Sequence, residues 1–351
     1  MAYLLLFSYV YIYSFLVQTK QKRYIEFLIA FIPVTVLLIM TLGLQKGVGT
    51  DYYTYYSLAE GSKGMGWIAG RSEVLFIWLV ELIIKIGKPQ LLFVFVGSIQ
   101  VVFLTLIAYE VKKIGYKMHD FFFLYFTLSL TFFNQFNGIR QYIAVYIVVY
   151  AFIKLIDKKK LLFGCLIIIA SLFHSSSIFF LPFIILGKLL EKKIPIKLMI
   201  LIMGVLIILT TLDISKYIEL LLSYTSYKSY IGSNYFGRLS SQGIITKLPK
   251  LMIVLFSTYL INKKDLVKKE IQLINLSYIG IFVLIMSFSS TLIWRFYQFV
   301  DLLIIFPVLI LFTDKRYKNI KVVISLILFI MLIIKIIILP RGEYLYRTIL
   351  F

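Results

Sequence analysis

Hydrophobic positions along this 351-residue chain come in long runs, with little of the polar and apolar alternation of a half-buried strand. Runs of membrane length fall near 3–17, 24–44, 90–110, 119–136, 139–156, 160–174, 177–190, 197–212, 246–261, 270–289, 292–313 and 319–339. A backbone in lipid must satisfy its own polar groups, which leaves helices or a closed barrel. Runs this long and apolar lack the dyad pattern of barrel strands. The pattern therefore predicts an all-α fold, a polytopic integral membrane protein with about 12 transmembrane helices, forming a single transmembrane domain over 1–351. The first run lacks a basic leader and a small-residue cleavage site, so it is expected to be a retained span.

Polar residues between the runs set the threading. Lysine and arginine clusters follow alternate spans, at 20–23, 112–117, 158–160, 188–197, 263–269 and 315–321, and hold more than half of the 37 Lys and Arg residues. By the positive-inside rule these loops are cytoplasmic, which puts both termini and two large loops, near 45–89 and 213–245, outside. The segment 73–87 would invert the nearer clusters if it crossed. At about 14 residues it is also short for a ~20-residue span. It is expected to be an external interfacial or re-entrant helix, with a short true span as the rival reading.

Composition narrows the chemistry. The chain is 61% hydrophobic and 17% aromatic, and its net charge is +21. In a soluble protein that charge would suggest nucleic acid, but here it sits in short cytoplasmic clusters, so no nucleic-acid partner is expected. One cysteine and two distant histidines argue against a disulfide framework or a metal centre. No repeat and no Gly-rich phosphate loop is present, and no cofactor is expected.

Several polar residues interrupt the apolar pattern, most densely in "LTFFNQFNGIRQYIAV" at 130–145. Threading puts Arg140 and Gln141 at the outer end of a hairpin, where a charge costs less than at the bilayer centre. Arg140 is either a snorkelling interfacial arginine or a functional one with Asn137, Gly138 and Gln141 as polar neighbours. His174 in "SLFHSSSIFFLP" is either a structural histidine at a turn or a general base, since an imidazole is poised to take a proton from a hydroxyl near neutral pH. Arg295 in "TLIWRFYQFVD" either anchors among aromatic residues or offers its planar fork to phosphate oxygens. Asp51 in "GVGTDYYTYY" is either a turn aspartate or part of a site whose tyrosines, Tyr52 among them, stack on sugar rings. Glu73 and Arg71 fall in the same external loop, and Arg238 falls in the second, "SYTSYKSYIGSNYFGRLS".

The ordered set "GVGTDYYTYY", "SEVLFIWL", "GIRQYIAV" and "SLFHSSSIFFLP", over roughly residues 40 to 300, resembles the EpsG-like family of bacterial polysaccharide polymerases, the Wzy-type enzymes. The family's glycine-aspartate-tyrosine element corresponds to Gly49, Asp51 and Tyr52, and its glutamate to Glu73. Its arginine-glutamine pair corresponds to Arg140 and Gln141, and its histidine-serine turn to His174 and Ser175. Where some relatives carry an alanine and an arginine, this chain has Ser177 and Lys46.

The resemblance implies a membrane glycosyltransferase related to GT-C-type enzymes. It would join polyprenyl-diphosphate-linked oligosaccharide repeat units into capsule, exopolysaccharide or O-antigen chains. The location implied is the outer side of a bacterial inner membrane, with membrane lipid and a chain-length regulator protein as further partners. On this reading Arg140 and Arg295, with Arg238, neutralise the diphosphate leaving group without a metal, and His174 or Asp51 deprotonates the acceptor hydroxyl. Gln141, Glu73, Tyr52 and Ser175 complete the substrate site. Two rivals remain. A flippase or other transporter would line a path with charges such as Lys154, Lys335 and Asp301, and a ligase or acyltransferase would act on the same surface glycan.

Overall fold

The apolar runs fold as helices in the computed structural model, which describes residues 1–18, 23–64, 66, 72–211, 219, 220, 223, 231, 240–340 and 342–350. Among these residues no strand forms; an isolated antiparallel bridge joins Gln45 to Thr348. The chain divides into two compact units, Met1–Leu181 with Lys315–Phe351, and Pro182–Asp314.

The first unit contains α1 (Ala2–Val17), α2 (Tyr24–Gly43), α3 (Tyr52–Glu60), α4 (Val74–Ile86), α5 (Leu91–Ile114), α6 (Met118–Thr127), α7 (Ile139–Ile156) and α8 (Lys160–Phe173). Its centre is α7, which is buried almost along its whole length and packs against α5 and α8. Helix α2 lies along α5. Two glycines lie at this seam: a Cβ on Gly97 would come within 2.8 Å of the Leu42 Cβ, and one on Gly43 within 2.9 Å of Val94 Cγ2. Small residues permit this approach in lipid, where packing and not hydrophobic exclusion joins helices. Farther along the pair, Thr35 Oγ1 and Thr105 Oγ1 lie 3.3 Å apart.

The second unit contains α9 (Ile196–Thr211), α10 (Leu248–Ile261), α11 (Lys268–Met286), α12 (Thr291–Tyr297) and α13 (Phe306–Thr313). Helix α14 (Lys318–Ile333) then returns the chain to the first unit, where Lys321 Nζ grips both Asp120 oxygens at 2.7 and 2.6 Å.

Six helices among the described residues are long and apolar enough to cross a membrane: Tyr24–Gly43, Leu91–Ile114, Ile139–Ile156, Gly243–Ile261, Lys268–Met286 and Lys315–Ile338. A seventh crossing results if Thr291–Tyr297 and Asp301–Thr313, bent by 65°, form one span. The chain is thus a polytopic helical membrane protein, but the expected twelve spans are not reached by length and composition. Ala2–Val17, Lys160–Phe173 and Ile196–Thr211 are apolar but shorter.

Two expected spans are broken for local reasons. The run 119–136 stops at Thr127 because Ser129 turns its hydroxyl back onto the Tyr125 carbonyl (3.0 Å) and also receives the Thr131 hydroxyl (2.9 Å), a competition that serine wins against helix propagation. Leu130 then takes a left-handed φ of 58°. The run 177–190 forms a 3₁₀ turn, Ser175–Phe180, then a single α turn from Phe183 and a second 3₁₀ turn to Glu191. Pro182, with no N–H to donate, separates the first two.

The segment 73–87 becomes α4, 13 residues ending at a left-handed Gly87. At 1.5 Å per residue it is about 20 Å long, shorter than the ~30 Å hydrocarbon core. It buries Phe76, Leu79, Val80 and Ile83 and packs on α3 and α8, while Trp78 on its opposite side is exposed.

Candidate functional site

Glu73, the residue before α4, is completely buried. A buried carboxylate is costly unless it is paired and hydrogen-bonded, and three partners from distant stretches meet this one. Arg140 Nη1 forms an ion pair with Oε2. On the other oxygen, Oε1, His174 Nδ1 stands 3.0 Å away and the Ser175 backbone N–H donates at 3.3 Å.

Each partner is delivered by a break in a helix. His174 is the extended residue (φ −152°, ψ 109°) between α8 and the 3₁₀ turn, and its carbonyl accepts from the Ser177 N–H and hydroxyl at 3.1 and 2.9 Å. Arg140 is in the first turn of α7, which starts from Gly138 in the left-handed region (φ 58°, ψ 45°). Gly138 is in turn held by Asp51, whose Oδ2 accepts its N–H at 3.0 Å. Asn137 Oδ1 accepts from the Thr50 N–H at 2.7 Å and from its hydroxyl at 3.1 Å. Gly49 (φ +78°) makes this docking possible, because a Cβ there would lie 2.5 Å from Asn137 Oδ1 and 2.9 Å from the Phe136 carbonyl oxygen.

Tyr55, from α3, completes the cluster by accepting a hydrogen bond from Arg140. Burial pushes its phenol up from 10.0 to about 12, with the Arg140 charge opposing that rise and Asp51 and Glu73 adding to it. The hydroxyl therefore stays protonated through the neutral range and serves as a hydrogen-bonding group.

Five of the residues singled out in the sequence thus converge: Glu73, Arg140, His174 and Ser175 directly, and Asp51 through Gly138. Gln141 is buried in the same first turn of α7, its N–H on the Gly138 carbonyl at 2.8 Å. Tyr52 instead stacks on Phe93 (4.7 Å, 16°) and donates its hydroxyl to Gln90 Oε1 at 3.0 Å. Arg295 belongs to the second unit, in α12. Arg71 and Arg238 lie outside the described residues.

The charges that a transport path would use have fixed partners. Lys154 pairs with Glu110, Asp301 accepts from Lys250 (2.8 Å) and from the Tyr297 hydroxyl (2.6 Å), and Lys335 Nζ stands 5.4 Å from the centre of the Tyr344 ring. Among the described residues, no group of three His, Cys, Asp or Glu is placed to hold a metal ion.

Sequence reasoning missed Tyr55, Thr50 and Glu343, which accepts from Asn137 Nδ2 at 3.0 Å. Tyr55 was one of four tyrosines with nothing to distinguish it, whereas the Asn137-Gly138 pair carried a usable turn signal.

The family model described as "EpsG family" matches residues 27–348. No curated protein and no solved structure matches the chain.

Proposed function

Because the chain belongs to the EpsG family, we propose that it polymerises polyprenyl-diphosphate-linked oligosaccharide repeat units at the outer face of a bacterial inner membrane. The product is a capsular, exopolysaccharide or O-antigen chain. The observation that carries this reading is the buried Glu73 carboxylate, which holds His174 on one oxygen and Arg140 on the other. With Nδ1 facing a carboxylate, His174 carries its proton there and its lone pair on Nε2, as a general base requires.

In the proposed step His174 Nε2 takes the proton of the acceptor hydroxyl. The acceptor oxygen bonds to the donor's anomeric carbon, whose bond to the diphosphate oxygen breaks, and the polyprenyl diphosphate leaves with the electron pair. Arg140, a fork of five N–H donors that also holds Glu73, is assigned to the diphosphate. Asp51 places the start of α7, and Gln141 and Ser175 line the substrate side. No metal is required in this scheme, because guanidinium groups stabilise the developing charge.

The test is reconstitution of purified protein with lipid-diphosphate-linked repeat units, reading glycan ladders on a gel for wild type, His174→Ala and Arg140→Ala. A ladder that both substitutions abolish, from protein still folded in the membrane, supports the reading. No ladder from wild type with its matched repeat unit, or undiminished ladders from both variants, overturns it.

A further inference from the structure

Residues 342–350, near the chain's last position, lie across the loop that carries Asp51. The Lys46 N–H donates to the Arg347 carbonyl at 3.0 Å, and the Ile349 N–H to the Leu44 carbonyl at 2.9 Å. The Tyr346 hydroxyl reaches the Thr41 carbonyl at 3.1 Å. At the other end of this strap the Tyr344 ring stacks on Phe133 (4.8 Å, 28°), and the Tyr3 hydroxyl donates to the Glu343 carbonyl at 2.9 Å. All these partners belong to one compact unit.

Glu343 is where the strap meets the site. Its Oε2 accepts the Asn137 amide N–H at 3.0 Å. A side-chain amide has one donor end and one acceptor end. Fixing Nδ2 on Glu343 therefore turns Oδ1 toward Thr50, where it receives the N–H and the hydroxyl. The next residue, Asp51, receives the N–H of Gly138, from which α7 and Arg140 begin. One carboxylate thus sets the orientation of an amide that ties residues 49–51 to residues 136–138, directly before the arginine that holds Glu73.

We propose that Glu343 is a positioning residue of the Glu73–Arg140–His174 site, acting through Asn137 and Thr50 on the start of α7. Its catalytic consequence rests on the reading of that site as a glycosyl-transfer centre. Glu343 touches no reacting atom in this scheme, so its loss lowers turnover and leaves substrate affinity in place. Glutamine keeps an acceptor oxygen for Asn137, whereas alanine does not.

The experiment pairs kinetics with a readout that needs no substrate. In the ladder assay Glu343→Ala is expected to lower kcat about tenfold, the effect of losing one hydrogen bond to a charged group, with KM for the lipid-linked repeat unit unchanged. Glu343→Gln is expected to restore most of the rate. Amide hydrogen exchange on the same proteins in detergent is expected to quicken in Glu343→Ala over 46–51 and 134–139 and to stay unchanged over 91–114. Unchanged exchange at those loops overturns the proposal. So does quickened exchange with kcat intact, since the strap is then structural only. A wild type that makes no ladder overturns the glycosyl-transfer reading; exchange then still decides whether Glu343 holds these loops.

Discussion

Glu73 Oε1 stands 3.0 Å from His174 Nδ1, so a carboxylate that starts one helix faces an imidazole that ends another. The same oxygen takes the Ser175 N–H at 3.3 Å, which holds the histidine's own backbone in register. If His174 is the base, Glu73 orients it and stabilises the imidazolium that forms. Glu73→Gln is expected to lower kcat by about 10²-fold, within the range for loss of oriented general-base catalysis. His174→Ala should lower it at least as far, and the double variant no further than His174→Ala alone. Initial rates of ladder formation check this, and multiplicative losses in the double variant would show that the two residues act independently.

Arg140 and Glu73 form a buried pair, and removing one member leaves the other charge buried without compensation. Arg140→Ala is expected to cost about 3–5 kcal/mol of stability, and Arg140→Lys to recover only part of it, because an ammonium lacks the planar fork. Glu73→Gln combined with Arg140→Ala should be more stable than Arg140→Ala alone, while remaining inactive. Denaturant unfolding in detergent micelles separates the cases. A double variant less stable than either single one would mean that the pair is not the main partner of each residue.

The candidate site was more legible in the sequence than the span count, and for a physical reason. Arg140 and His174 stood out because they interrupt apolar runs, and Glu73 because it corresponds to the family's glutamate; the three were found to meet. Helix interruptions at Ser129 and Pro182 were hidden within runs of uniform hydropathy, because a hydroxyl turned onto its own backbone leaves the apolar average unchanged. Glu343 gave no signal, since its partner Asn137 is 206 positions away and nothing local marks a carboxylate that will meet an amide. Tyr52 misled in the other direction: its place in a tyrosine run suggested a sugar platform, but its ring is taken up by Phe93.

Gly49 tests the docking of the two loops. Its φ of +78° already disfavours a side chain, and the Cβ of alanine would stand 2.5 Å from Asn137 Oδ1 and 2.9 Å from the Phe136 carbonyl oxygen. Gly49→Ala is therefore expected to cost more than the roughly 1–2 kcal/mol of a left-handed residue alone. It should also reduce ladder formation further than Thr50→Val, which removes only one hydroxyl donor to Asn137. Adding Asn137→Ala relieves the first clash but neither the second nor the backbone cost, so rescue should be partial. Full activity in Gly49→Ala would show that this loop can leave Asn137 without disturbing Arg140.

Tyr55 supplies a prediction in pH. Its phenol is raised from 10.0 to about 12 by burial, so the folded state keeps this proton where the unfolded state has lost it. The sign follows from linkage: its contribution to stability is complete below about pH 10 and falls as pH rises toward 12. Between those values the folded protein binds more protons than the unfolded chain, and Tyr55→Phe should flatten that part of the curve. The same substitution removes a hydrogen-bond acceptor from Arg140 and is expected to lower stability at pH 8 by about 1 kcal/mol. The shape of the activity profile from pH 6 to 9 should not change, because Tyr55 does not ionise there. Unfolding measured at pH 8, 10 and 11 checks the slope. Equal slopes in wild type and variant would mean that the hydroxyl reaches solvent, and a changed activity profile below pH 9 would make Tyr55 part of the proton transfer.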